Sequence, residues 1–303
     1  MEWAAELGGR IARTLAGEED IAGDLYDDAV VYRTPLEALV GRQAVLAALA
    51  EFRRGFPGLR VTLHDAFGDA TGRRACLRFR LEWEGGGRFR GREPAGRAGA
   101  AVETHTVRVA GGRVVQHIVG VSTFQLAQRL LVDWRLDFPR ALDDPDPELP
   151  SDGDTLAQRF TRAFDRRDLP ELEAIYAEDV ELYTPLGWPV RGRTDLLAFV
   201  DQFHTANPSM RVALHDEFYA EGRACWRVRL HFHNTGPFYG LPPTGDRGVM
   251  TETHSLTVRD GRIARHIVGD NTFHMPYQEL VEWRMDFPTD TPDPDPEIMA
   301  VGR

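Results

Sequence analysis

From Leu156 to Phe164 apolar residues recur at helical spacing, at Leu156, Phe160, Ala163 and Phe164, behind a run of Ser and Asp capping candidates. A shorter helix is predicted from Asp168, an N-cap residue with Glu171 three positions on. VELYTPLG from Val180 reads as a strand and turn, and TDLLAFVDQF from Thr194 as a third amphipathic helix. Beyond it come four strands: MRVALHDEFYA, ACWRVRLHFH, MTETHSLTV and RIARHIVGD. In the second of these Trp226, Val228, Leu230 and Phe232 share one side, while Cys225, Arg227, Arg229, His231 and His233 share the other. That alternation predicts a half-exposed strand with its apolar side inward. Arg259-Asp260-Gly261-Arg262 joins the last two strands as a two-residue hairpin. Helices followed by a long antiparallel meander predict an α+β unit with helices on one sheet face.

The chain writes this unit twice. ETHSLTVRDGRIARHIVGDNTF from Glu252 is a second version of ETHTVRVAGGRVVQHIVGVSTF from Glu103. HDAFGDATGRRACLRFRLEW matches HDEFYAEGRACWRVRLHF, Thr34-Pro-Leu matches Thr184-Pro-Leu, and LVDWRLDFP matches LVEWRMDFP, each followed by DPDPE. A period this long means tandem domains rather than a solenoid. The expected division is residues 1–149 and 150–303. Within the opening pair of segments the sharpest difference is Val121 in the first copy against Asp270 in the second.

A 303-residue chain with 42% hydrophobic and 27% charged residues has room for two such cores. Its net charge of −11 argues against a nucleic-acid footprint and suits a small neutral or cationic ligand better. No apolar run reaches membrane-spanning length, and MEWAAELGGR is acidic rather than a basic leader, so a cytoplasmic location is expected. All 36 basic residues are Arg, a signature of a very GC-rich genome, and without Lys no lysine Schiff base can form. Cys76 and Cys225 fall at equivalent points of the repeat and read as two copies of one buried strand residue, not a disulfide.

FTRAFDRRDLPELEAIYAEDV, then GPFYGLPPTGDRG, then VRDGRIARHIVGD resemble the nuclear-transport-factor-2-like superfamily, and within it the SnoaL-type polyketide cyclases. The resemblance covers about residues 155–280 and more faintly 8–130, where the loop has shrunk to GREPAGR; the WRxDFP and DPDPE tails fall outside the family's pattern. It implies two cone-shaped α+β domains, each a curved antiparallel sheet packed on three helices around a pocket, paired as an intramolecular pseudo-dimer. It further implies a cofactor-free cyclase or isomerase acting on a small natural-product intermediate, with an acid–base Asp at the end of the last strand.

Asp270 is the carboxylate available there, although the usual spacing lands on Asn271. A bulge near Gly269 would reconcile the two. Strict alternation from the turn places Glu252, His254, Leu256, Val258, Ile263, Ile267 and Asn271 on the pocket face, and His266, Val268 and, unless such a bulge intervenes, Asp270 on the other. The catalytic candidates are therefore Asp270, His254 and Glu252, with Asp270 set against a solvated strand-end residue and His254–Glu252 against a structural pair, since Glu103 and His105 repeat it. Asn271, Tyr183, Trp188 and Tyr239 are the candidate substrate contacts. No metal-ligand spacing such as His-Glu-x-x-His is present, and neither metal nor cofactor is expected. Two other readings stand beside the cyclase: an epoxide hydrolase/cyclase or dehydratase on the same fold, and a non-catalytic binding or scaffold protein. Thr184 and Thr34 stand where tandem epoxide-opening relatives carry an Asp, which weighs against the first of these. One active half and one scaffold half is the expected arrangement.

Overall fold

The computed structural model describes residues 2–140, 144–185 and 189–285. In the first half α1 (Glu2–Ala16) and α2 (Glu19–Leu25) lead into β1 (Tyr26–Thr34), β2 (Glu37–Val40) and α3 (Arg42–Gly55). Four strands follow, β3 (Arg60–Gly68), β4 (Arg74–Gly85), β5 (Arg97–Ala110) and β6 (Arg113–Val121), closed by α4 (Phe124–Ala127) and a π-helical turn over Gln128–Asp133. The second half repeats the order with α5 (Leu156–Arg166), α6 (Leu169–Ile175), β7 (Tyr176–Tyr183), β8 (Pro189–Arg191) and α7 (Arg193–Ala206). Its strands are β9 (Arg211–Ala220), β10 (Arg223–His233), β11 (Arg247–Arg259) and β12 (Arg262–Asp270), followed by α8 (His274–Tyr277) and a π-helical turn over Gln278–Glu282. Each half thus has the expected three helices and meander, plus a short closing helix.

Local chemistry explains the helix starts. Thr155, rather than the Ser and Asp before it, caps α5 in a reciprocal box: its hydroxyl accepts from Gln158 N at 3.2 Å, and Gln158 Oε1 accepts from Thr155 N at 3.1 Å. Asp168 caps α6 through Glu171 N at 3.2 Å, as its spacing predicts.

The strands form one sheet in the order β3-β4-β5-β6-β12-β11-β10-β9, with β1–β2 added on β6 and β7–β8 on β12. The halves join where the ends of β6 and β12 pair antiparallel, Val121 opposite Asp270. Close approach at this seam requires glycine: a Cβ on Gly120 would stand 2.8 Å from Gly269 O and 2.9 Å from Thr104 O. Each half keeps its own apolar core, the second built on Phe160, Trp226, Leu230 and Leu256.

The other sheet faces meet across the pseudo-dimer. Phe67, Cys76, Phe218 and Cys225 form a small buried cluster there, and both thiols are free. Arg227 is not half-exposed but 1% accessible, because the first half covers its face. Its guanidinium bonds Asp144 at 2.7 and 2.8 Å, pairs closely with Asp146, and lies 3.8 Å from Asp216. Arg108 joins the same acids at 2.6 Å from Asp146 and 3.1 Å from Asp216. The DPDP tail of the first half is therefore an ionic clamp on the second. The matching tail after Met285 lies outside the described residues.

Candidate active site

Asp260 and Gly261 both have positive φ, 52° and 73°, and close the predicted two-residue turn with Arg259 opposite Arg262. The register then shifts: Val258 pairs with Ile263 but Thr257 with Arg265, leaving Ala264 as a bulge. The bulge expected near Gly269 lies at Ala264 instead, and it reverses the facing of the rest of β12. His266, Val268 and Asp270 stand directly across from Leu256, His254 and Glu252. The first half has the same step, with Val115 skipped between Gln116 and Val114.

Two expectations from strict alternation are thereby corrected. His266 faces the cavity, and Asn271 does not. Asn271 donates from Nδ2 to Val119 O at 3.1 Å, accepts from Thr253 Oγ1 at 3.1 Å, and sends its backbone N–H to Thr251 O at 2.8 Å. Its amide is used in joining the halves rather than in holding a substrate.

Along the cavity runs a file of polar groups, buried except for part-buried Glu252. The Tyr176 hydroxyl meets His266 Nδ1 at 2.8 Å, His266 Nε2 meets His254 Nδ1 at 2.6 Å, and His254 Nε2 lies 3.4 Å from Glu252 Oε2. Burial, and then the neighbouring His254, hold His266 well below its ordinary pKa, so it is neutral. A neutral imidazole donates from one nitrogen and accepts at the other, so the file works in either direction. Phe160 packs on both rings, with centroids 5.3 Å from His254 and 5.7 Å from His266.

Glu252 and Asp270 are cross-strand neighbours on one face, a relation that brings Cβ atoms to roughly 4.5–5.5 Å. A third carboxyl, Glu279 from the closing π-helical turn, is 2% exposed and faces the same cavity. Burial first, then Glu252 and Glu279, raise Asp270 well above the ordinary carboxylate range; burial and Glu252 do the same for Glu279. Two buried atoms here, His254 Nε2 and Glu279 Oε2, have no hydrogen-bond partner among the described residues. The cavity above them measures about 80 Å³ and is walled by Phe160, Phe164, Phe199, Phe203 and Phe238.

The first half keeps the file and lacks counterparts of the Asp270 and Glu279 carboxyls. Tyr26, His117, His105 and Glu103 repeat it at 2.9, 2.7 and 2.9 Å, and here the Glu–His contact is a full hydrogen bond. Val121 and Leu130 occupy the places of Asp270 and Glu279. Setting Glu279 against Leu130 in the repeat was the signal in the sequence for this third carboxyl, and sequence reasoning missed it. Of the aromatic candidates, Tyr183 turns its hydroxyl to Glu181 at 3.1 Å, and Tyr239 is 56% exposed beside Phe238; neither lines the cavity. Trp188 lies outside the described residues. Among the described residues no cluster of three or more His, Cys, Asp and Glu has metal-holding geometry.

The SnoaL-like domain family matches this chain twice, over residues 11–117 and 157–266, more than half its length. The chain belongs to the SnoaL-like family. No curated protein matches it. Among solved structures, AclR of Streptomyces galilaeus, provisionally assigned as a hydroxylase, is 22% identical, with 44% of this chain and 82% of that one covered at a TM-score of 0.36. TsrD of Streptomyces laurentii is 19% identical over 42% and 92%, with a TM-score of 0.37. IdmH of Streptomyces antibioticus, provisionally assigned as a polyketide cyclase, is 26% identical over 41% and 94%, with a TM-score of 0.35. Among the described residues no helix is long and apolar enough to cross a membrane.

The buried file of this SnoaL-like pair gives its stability a defined pH response. Burial raises Glu103 from 4.5 to about 8 and lowers His105 from 6.5 to about 3. Between pH 4.5 and 8 the unfolded chain has released a proton that folded Glu103 keeps, so this contribution falls as pH rises. Between pH 3 and 6.5 the unfolded chain holds a proton that folded His105 excludes, so stability rises with pH there. His117, held well below its ordinary value, acts in the same sense as His105. Urea unfolding across pH 4 to 9 is expected to show a maximum near neutrality with losses on both sides, and Glu103→Gln is expected to flatten the alkaline limb. An alkaline limb left unchanged by that substitution contradicts the assignment.

Proposed function

We propose that the second half catalyses a cofactor-independent acid–base ring closure of a small, largely apolar molecule bearing carbonyl groups. The observation that carries this reading is the trio of buried Asp270, buried Glu279 and part-buried Glu252 lining one apolar cavity, beside a His254 Nε2 that makes no hydrogen bond among the described residues. Like charges this close do not readily ionise together, so Asp270 and Glu279, both held well above the ordinary carboxylate range, keep a proton ready to donate. A neutral carboxyl or the His254 N–H donates to a substrate carbonyl oxygen. Asp270 in its ionised form accepts the proton from the adjacent carbon, the resulting enol carbon forms a bond to a second carbonyl carbon, and Asp270 returns the proton to the new alkoxide. No electron is gained or lost. We assign the proton transfer to Asp270 because the first half keeps Glu103 and His105 but has valine in its place.

The same trio favours a second reading, acid-assisted opening of an epoxide or loss of water, on the same residues. A purely structural role fits less well, because the buried Asp270 and Glu279 carboxyls raise the energy of the fold, and no Arg lines this cavity among the described residues. At about 80 Å³ the cavity is below the 300–1,000 Å³ usual for ligand sites, so substrate entry displaces lining side chains. The test is deuterium exchange at the activated carbon of a small aromatic 1,3-diketone, followed by proton NMR in heavy water. Exchange faster than buffer supports enolisation; exchange at the buffer rate, with an aryl epoxide opened instead, selects the second reading.

A further inference from the structure

We propose that the first half is a second ligand site, whose cavity takes a neutral, largely apolar molecule with a carbonyl or hydroxyl oxygen presented to Glu103. This half lacks Asp270 and Glu279 equivalents, so the site binds without turning its ligand over; the proposal does not depend on the chemistry assigned to the second half.

The cavity measures about 320 Å³, four times that of the second half and within the range of small-molecule sites. Its size has a local cause. The helices α3 and α7 start from equivalent glycines, Gly41 at φ 97° and Gly192 at φ 84°. Counted from these, Ala48 holds the position of Phe199, and Ala44 and Ala47 line the same wall. Where the second half fills its cone with Phe160, Phe164 and Phe199, the first presents Leu15 and alanines. Protein interiors pack without voids of this size, and unfilled apolar volume costs stability, so a space kept open by alanines points to an occupant.

The floor defines the chemistry. Glu103, 6% exposed, and Tyr32, 4% exposed, are the polar groups at the buried end. His105 holds Glu103 Oε2 at 2.9 Å and so fixes the carboxyl against the cavity. With its proton affinity raised by burial to about 8, Glu103 is a donor at neutral pH and suits an acceptor oxygen. The one cation in the lining, Arg90 at the mouth, is paired with Glu37 at 2.5 Å, and its backbone N–H is taken by Glu51 at 2.7 Å. An anionic ligand thus meets carboxyls rather than a free cation.

Prodan, a neutral naphthyl ketone whose emission moves to the blue in apolar surroundings and on loss of hydrogen bonds to its carbonyl, is the probe. Titration of the full chain is expected to give blue-shifted emission with one site per chain. Ala48→Phe, which copies the packing of the second half, is expected to weaken binding on the order of 100-fold, a difference of about 2.8 kcal/mol, without lowering the melting temperature. Glu103→Met is expected to weaken it about tenfold and shift the bound emission further to the blue. Asp270→Asn is expected to leave probe affinity unchanged. Absence of binding up to the solubility of prodan overturns the proposal. So does affinity undiminished in Ala48→Phe, or a loss in Asp270→Asn. Should Ala48→Phe not fold, Glu103→Met decides alone: unchanged affinity and emission refute the site.

Discussion

Asp270→Asn is expected to remove α-proton exchange and, at neutral pH, to raise the melting temperature. Both effects have one source. Burial and the neighbouring Glu252 and Glu279 hold the Asp270 carboxyl well above its ordinary proton affinity. In the unfolded chain the same group ionises near its reference value of about 3.9. Over the interval between these, folding must retain a proton that the unfolded chain has released, so stability falls as pH rises. Asparagine fills the same space, cannot ionise, and abolishes that loss. The gain is therefore present at pH 7 and absent below about pH 4. Each kcal/mol relieved raises the melting temperature by roughly 2–4 °C in a chain of this size. Loss of the proton-transfer group lowers the rate by about 10²- to 10⁴-fold. Calorimetry at both pH values, beside the exchange assay, checks the pair. Exchange kept within tenfold, or a lower melting temperature at pH 7, removes Asp270 from the role proposed for it.

The second large effect lies on the far face of the sheet. Arg227→Met is expected to cost about 3–5 kcal/mol at pH 7, because it strands buried carboxylates without their cation. Asp144 and Asp216 are 2–6% exposed at the side chain and Asp146 is 6%. Despite burial, the Arg227 hydrogen bond and charge hold Asp144 below the ordinary range, so in the wild type it is ionised. Without that partner Asp144 gains a proton more readily, and part of the loss should return as pH is lowered. Urea unfolding at pH 7 and pH 5 reads both parts. A cost under about 1 kcal/mol would show that Arg108 alone sustains the cluster.

Much of this was legible in the chain. Helical spacing, the Asp168 cap and the Asp260-Gly261 turn each depend on a few adjacent residues, and each appears in the structure as read. The duplication exposed Asp270 because two copies differ there by chemistry, not by size alone. The facing of His266 and Asn271 was not legible. One skipped residue at Ala264 inverts it, and the segment around Ala264 carries no glycine or proline to mark the bulge. Arg227 read as half-exposed since alternation reports the two faces of a strand but not what covers them. The cover is a tail, Asp144 to Pro147, whose role depends on a partner strand in the other repeat. Glu279, opposite Leu130, stands directly before the matched LVEWRMDFP segment, but nothing local in the sequence shows that this closing turn folds back over the cavity.

Val121 and Asp270 are not only equivalent in the repeat; they are paired with each other across the seam. A symmetric assembly of two identical subunits joined this way would set the same side chain against itself. Two aspartates there would meet as direct cross-strand neighbours in a dry place, where like charges repel. Fusing the copies into one chain lifts the requirement that both sides be alike. Asymmetry is then what lets this junction hold an acid: a valine on one edge is the neighbour that an aspartate on the other can tolerate.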